Sequence, residues 1–381
     1  MGDFTMISAA LGHFDEELVS EARRIAEEHL RPQADRTDSE ARFPELGLRK
    51  LAEAGFWGLT IPKEYGGLEA NLLTTVLVVE SLAQECASTA MCFKMHLEGL
   101  NPLAHLATPE QSRRLLAPIA RGELFVGVAA NEPGSGVGNI QSLASIVESG
   151  YQVEEARKAF VTSSHFADLF SFTARHDQGS PLPTRFIVER KNMTCEVEGQ
   201  WNGLGMRGND SCSVVFTGFI PNANLVGQPG GTPHIRSIHL PFVYLTYAAV
   251  YMGIAIGAFE EVRAHVTGRV PRLAQIETVQ RHFGEMALSI ERTRSLVHRA
   301  AALFDEYGPE GQNIYMAASL ASDETAVEVT ERAMLVGGGV AYAKGNRLER
   351  YLRDARAGPV MVPQDDLTKL ALGQSYLERE A

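Results

Sequence analysis

Residues Gly203 to Gly227 read GLGMRGNDSCSVVFTGFIPNANLVG, and the fold is read outward from this stretch. It opens on a glycine-punctuated turn that carries Arg207. Cys212 to Thr217 then forms a run of β-branched and aromatic residues, the composition of a strand. The exit, Pro221 to Gly227, is rich in the residues that end strands in turns. Four runs upstream have the same character: Phe125 to Ala130, Ala159 to Thr162, Leu169 to Ala174 and Arg185 to Glu189. Turn residues separate them, and Gln228-Pro229-Gly230-Gly231 closes the series. Together they predict a small antiparallel β-barrel or sandwich.

Both flanks are helical. Phe14, Leu18, Ala22, Ile25 and Leu30 recur at helical steps after the acidic start Asp15 to Glu17, where a helix dipole favours negative charge. Further helices are predicted from Pro44 to Ala54, Leu72 to Glu85 and Thr108 to Arg121. Beyond the β region they run from Val250 to His265, Ala274 to Tyr307, Asn313 to Leu335 and Asp365 to Leu377. Helices, then strands, then long helices make an α+β order. The expected domains are an N-terminal helical domain (1–122), a middle β domain (123–232) and a C-terminal four-helix bundle (233–381). No βαβ alternation is present. The run Gly337-Gly338-Gly339 follows a helical segment with no strand before it, so it is not a dinucleotide-binding fingerprint.

The chain has 381 residues, 47 acidic and 35 basic, with a net charge of −12. That balance argues against nucleic-acid binding. Cys86, Cys92, Cys195 and Cys212 show no metal-ligand spacing and read as free thiols in a reducing compartment. No stretch reads as a membrane span or a leader. The expectation is a soluble, cytoplasmic protein.

Three motifs, Asn131-Glu132-Pro133-Gly134-Ser135-Gly136, Gly203-Leu204-Gly205-Met206-Arg207-Gly208 and Arg353-Asp354-Ala355-Arg356, occur in this order. With them the chain resembles the acyl-CoA dehydrogenase superfamily from about Phe14 to Gly373. The resemblance implies FAD as cofactor, with FMN or externally supplied reduced flavin as variants. It places Asn131 along the flavin, and Thr162 with the following Ser163 near its N5 edge. It places Arg269 at the pyrophosphate across a subunit interface, and Gly338 and Gly339 against the adenosine diphosphate half. It further implies a homodimer or homotetramer and a small-molecule substrate such as an acyl-CoA or an acyl group on a carrier protein. The electron partner would be an electron-transfer flavoprotein or a flavin reductase.

One element of the pattern is missing. The glutamate that removes the substrate's α-proton in such proteins falls on Val362, which has no proton-accepting group. A second position used by relatives falls within Phe242-Val243-Tyr244-Leu245. The serine that contacts the thioester in relatives is also absent from Gly136-Val137-Gly138. Substitute bases are His96, near Glu98 on one helix, and Asp365 and Asp366, whose bland role is to cap the last helix. Tyr244 is a weaker candidate, since a phenol is a poor base at its ordinary pKa. Three functions are compatible with this pattern: thioester dehydrogenation with a displaced or absent base, a monooxygenase reaction with reduced flavin and oxygen, and a non-catalytic flavin-binding subunit.

Overall fold

The structure, a computed structural model, describes residues 12–134, 139–176, 182–231, 235–308, 313–361 and 364–378. Helix α1 (Glu16–Ile25) is capped by Asp15, whose carboxylate accepts the N–H groups of Glu17 and Leu18 at 3.1 and 3.0 Å. A π turn, Ala26–Leu30, leads into α2 (Arg31–Ser39), and α3 is Glu45–Glu53. The buried stripe of α1 is Val19, Ala22 and Ile25, with Phe14 and Leu18 half-buried beside it. Helices α4 (Leu72–Ala83) and α5 (Ala87–Leu106) are almost wholly buried. The expected helix from Thr108 to Arg121 is broken by a π turn, Ser112–Leu116, between α6 (Pro109–Gln111) and α7 (Ala117–Ala120).

The middle region is two four-stranded sheets. One is ordered β1 (Val126–Ala129), β4 (Leu169–Ala174), β5 (Thr184–Glu189), β8 (Leu225–Val226). The other is ordered β2 (Ser145–Val147), β3 (Gly150–Val161), β7 (Cys212–Pro221), β6 (Thr194–Glu198). Five of the six pairings are antiparallel; β1 and β4 run parallel, with Val126 opposite Leu169. Strands β2, β6 and β8 lack a sequence signal because they are short, half-exposed or polar. Strand β3 is longer than its predicted end because the alternation of Gly150 to Lys158 mixes charged residues with buried Tyr151, Val153 and Ala156.

The C-terminal helices are α8 (Ile235–Ala264), α9 (Glu277–Tyr307), α10 (Ile314–Tyr342), α11 (Arg347–Ala355) and α12 (Asp365–Leu377). Helix α10 packs on α8 and α9, and α11 and α12 pack on α10. One sequence expectation is corrected here. Arg236–Arg269 is long and apolar enough to cross a membrane by length and composition, yet 89% of its apolar window is buried inside the protein. Its apolarity is that of a central core helix, in contact with α4, α5, α9, α10 and α11. The predicted end of α10 at Leu335 is also too early. The helix continues through Gly337 and breaks at Gly338, whose φ of 64° and ψ of −154° are open to glycine without strain.

Candidate active site

The exit of β3 is unusual. Phe160 has φ 55° and Ser163 φ 62°, both left-handed. Across from them, Met206 and Asp210 in the loop before β7 have φ 51°. Left-handed backbone costs a side-chain-bearing residue about 1–2 kcal/mol, and such residues cluster at functional sites. Phe160 also presents a ring that is 66% exposed. Two of these four positions, Phe160 and Met206, border one cavity of about 350 Å³.

Three elements build its walls. From the middle region come Asn131, Phe160, Thr162, Trp201, the Gly203–Met206 turn, Asn209 and Ser211. The helical wall is Met95 of α5 and Tyr247 of α8. The last wall is Arg353 and Arg356 at the end of α11 with Ala357, Val360 and Met361 after it. All three motifs read in the sequence thus meet here. Asn131 is tied to β3 through its carbonyl, which accepts the Ala159 N–H at 2.8 Å. Thr162 Oγ1 and Ser211 Oγ share a hydrogen bond of 2.9 Å. Trp201 donates to the Met206 carbonyl at 2.8 Å and closes the glycine turn.

Ser163 lies behind Thr162, buried, and its N–H bonds the Asn209 carbonyl at 3.0 Å. It does not line the cavity. Arg269, at the end of the π turn His265–Arg269, is exposed, as are Gly338 and Gly339. All three lie outside the cavity of the single chain.

The substitute bases fare differently. His96 is fully buried. Its Nε2 lies 2.9 Å from the Trp57 carbonyl, and its Nδ1 accepts the Val126 N–H at 2.9 Å. Both ring nitrogens are used, the ring stacks on Phe125 at 4.5 Å, and burial lowers its pKa to about 4. This histidine holds α5 to β1 and is no base for the cavity. Asp366 is exposed on the first turn of α12, away from the lining. Asp365 is buried against Asp323 of α10, also outside the lining. Each carboxyl has an Oδ1 that meets no donor N–H or O–H among the described residues. Two carboxylates so placed cannot both ionise. Burial, then each other's charge, raises Asp323 well above its ordinary value, and burial raises Asp365. Tyr244 is half-buried beside Tyr315 and Thr368 and does not line the cavity. Val362 falls outside the described residues, as do Ser135 to Gly138.

The residues fit a flat heteroaromatic ring with a polar edge. Asn209 is 1% exposed, lines the cavity, and neither atom of its side-chain amide has a hydrogen-bond partner among the described residues. A buried amide left open in this way is set to meet a ligand. Phe160 offers a ring face, and Asn131, Thr162 and Ser211 offer donors and acceptors at the rim. Phe160, Trp201, Asn209, Ser211 and Tyr247 were not legible as site residues. Backbone strain at Phe160 has no sequence signature, and Asn209 and Ser211 differ from surface turn residues only through their burial.

Comparison with known proteins accounts for this arrangement. Residues 14–123 match the family model "Acyl-CoA dehydrogenase, N-terminal domain", and residues 242–363 match "Acyl-CoA dehydrogenase, C-terminal domain". The cyclohex-1-ene-1-carbonyl-CoA dehydrogenase of Geobacter metallireducens is 31% identical over 366 residues, 93% of this chain and 96% of that protein. The chain belongs to the acyl-CoA dehydrogenase superfamily. It is therefore a relative of flavin-dependent oxidoreductases, and its three-part fold is that of the superfamily. Among solved structures, a chain described under the electron transferring flavoprotein of Acidaminococcus fermentans superposes with a TM-score of 0.89 at 26% identity, covering 97% of this chain and 99% of that one. The dibenzothiophene monooxygenase TdsC of Paenibacillus sp. A11-2, solved with FMN and indole, superposes with a TM-score of 0.87 at 22% identity over 96% and 98%. At that identity the likeness is one of fold alone.

Proposed function

We propose that this protein binds FAD in the cavity and oxidises the acyl part of a thioester, a CoA ester in the first instance, between its α and β carbons. The observation that supports this most is the shape of the lining. A polar rim from Asn131, Thr162 and Ser211 faces an apolar wall of Met95, Met206, Tyr247 and Met361. FAD supplies the hydride acceptor. Asn131, Thr162 and the open amide of Asn209 would orient the ring, with Phe160 against one face. Met95 and Tyr247 would exclude water from the reacting carbons. Asp365 is the proposed proton acceptor. It follows the connection that leaves the cavity at Met361, and burial raises its affinity for a proton above that of an ordinary carboxylate. Electrons would pass to an electron-transfer flavoprotein. The exposed Leu335, Val340 and Tyr342 beside Gly338 and Gly339 form the proposed subunit interface of a homodimer or homotetramer.

One observation favours a second reading. Among the described residues that line the cavity there is no carboxylate and no imidazole. A reaction of reduced flavin with oxygen on a small non-thioester substrate needs no α-proton acceptor, and a flavin reductase would then be the partner.

The test is an anaerobic titration of the flavin-loaded protein with acyl-CoAs of increasing length, followed at the visible flavin band. Bleaching that is lost in Asp365→Asn supports thioester oxidation with Asp365 as acceptor. A flavin that no acyl-CoA bleaches, but that reacts with oxygen once chemically reduced, supports the second reading.

A further inference from the structure

A second group of ionisable side chains lies directly behind the cavity wall. Lys94 of α5 is fully buried. Its Nζ is 3.1 Å from the centre of the Tyr247 ring and 3.7 Å from Met95 Sδ. Tyr247 and Met95 both line the cavity, so Lys94 sits one side chain beyond it. Lys94 pairs with Glu98, one helical turn along. Arg185 of β5 is within electrostatic reach of Glu98, and His239 of α8 is within reach of Arg185 and Lys94. His239 Nδ1 lies 3.0 Å from Oδ1 of Asn101, itself buried on α5. The N-terminal helices, the β region and the C-terminal bundle each contribute to the group.

The charges do not balance. Lys94 and Glu98 cancel. Arg185 is half-buried and donates one hydrogen bond among the described residues, to the neutral Ser171 Oγ at 3.1 Å. The remaining guanidinium N–H groups meet no acceptor there. His239 Nε2 likewise meets no partner among the described residues. Burial lowers Arg185 to about 10, against the pull of Glu98. Burial, then the charges of Arg185 and Lys94, push His239 well below the ordinary histidine value. A guanidinium held in a partly dry site with one neutral partner is costly, and the cost is removed when an anion joins it.

We infer that Arg185, His239 and the Lys94–Glu98 pair form a distal subsite that receives a carboxylate at the far end of the substrate's acyl group. The inference rests on the thioester reading above and names its substrate class, an ω-carboxyacyl thioester. A carboxylate matches the open donors of a guanidinium in number and geometry, whereas a methyl end leaves them unpaired. Met95 is the part of the wall suited to give way, since its unbranched thioether chain re-packs with little penalty.

The test uses the flavin-loaded protein without oxygen. Dissociation constants are read from the shift of the flavin band for two CoA thioesters of equal chain length, one ending in a carboxylate and one in a methyl group. Calorimetry with a free α,ω-dicarboxylate and its monoamide adds a probe that does not require CoA. The expected result is at least tenfold tighter binding of the carboxylate-ended thioester. Arg185→Gln removes that preference and leaves the methyl-ended ligand within about twofold, and Arg185→Lys restores part of it. Equal binding of the two thioesters, or an equal loss for both in Arg185→Gln, overturns the subsite. If neither thioester binds but the dicarboxylate does, in an Arg185-dependent way, the subsite stands and the thioester reading fails. If neither probe distinguishes a carboxylate, the subsite is overturned. Unchanged melting temperature and FAD content in Arg185→Gln separate these outcomes from misfolding.

Discussion

Asp354 Oδ1 accepts the backbone N–H of Met206 at 2.6 Å, joining the end of α11 to the glycine turn that opens the site. The two segments approach so closely that a Cβ on Gly205 would lie 2.3 Å from the Arg353 carbonyl oxygen and 2.6 Å from the Asp354 nitrogen. Both are backbone atoms that cannot swing aside. Gly205→Ala should therefore destabilise the fold and lower FAD content together, both read on the purified variant by melting temperature and flavin absorbance. The Asp354 carboxyl is raised to about 6 by burial, against the Met206 bond and the nearby Arg350 charge. A carboxyl raised on folding contributes stability below its unfolded pKa and loses it as pH rises through the folded value. Native stability should fall between about pH 4 and pH 6 from this group. Asp354→Asn, which keeps an acceptor for Met206, should flatten that part of a melting-temperature curve.

Glu80 shows the opposite linkage. It is buried on α4 between Arg294 and His298 of α9, at 2.9 Å from Arg294 Nη2 and 2.9 Å from His298 Nε2. Burial alone would raise it, but the Arg294 and His298 charges bring it down to about 2. Its contribution is present above the unfolded value and is lost as pH falls towards 2. Glu80→Gln takes the carboxylate charge away from a buried guanidinium and should cost about 3–5 kcal/mol near neutral pH. The gap between variant and native protein in urea unfolding should narrow from pH 4.5 downwards. A constant gap would remove the ion pair as the cause.

The Arg269 side chain is exposed and makes no hydrogen bond or ion pair among the described residues. It stands where the family resemblance places a contact to the cofactor's phosphates from a neighbouring subunit. Arg269→Ala should keep the native melting temperature of the flavin-free protein and weaken FAD retention by tenfold or more, measured by dialysis and absorbance. Unchanged retention in a folded variant would take Arg269 out of the site.

The order of helices and strands was legible because apolar periodicity is a local property. The long helices α9 and α10 and the strands β4, β5 and β7 were all found from their own residues. The site was legible only where a short motif carried it. Asn131 and Thr162 could be placed on the cavity because their neighbours in the chain are distinctive. His96 could not, because a histidine that bonds Trp57 and Val126 looks the same in sequence as one that faces a substrate. The Lys94–Arg185–His239 group was invisible for a related reason. Its members come from three separate parts of the chain, and their shortage of negative charge exists only once the chain is folded.

The loop that carries Asn131 is held by a buried clamp. Glu132 accepts the N–H groups of Gln141 at 2.6 Å and Ser142 at 3.2 Å, and its carboxylate bonds Lys158 of β3. Lys158 is fully buried and donates to the Thr173 carbonyl at 2.7 Å. Glu132 thus ties the two ends of the loop, and Lys158 supplies the charge that lets a carboxylate be buried there. Lys158→Met removes the cation that balances the buried carboxylate, at a cost of about 3–5 kcal/mol in stability. FAD affinity should fall at least tenfold, because Asn131 then loses its fixed position against β3. Burial lowers Lys158 to about 8, against the opposing pull of Glu132. The clamp is fully charged only below that pH, so FAD release from the native protein should rise as pH passes 8. In Lys158→Met the release should be fast and nearly independent of pH over the same range. Stopped-flow or dialysis measurements of FAD release between pH 6.5 and 9.5 would check both arms, and a native profile that is flat across pH 8 would exclude Lys158 as the controlling group.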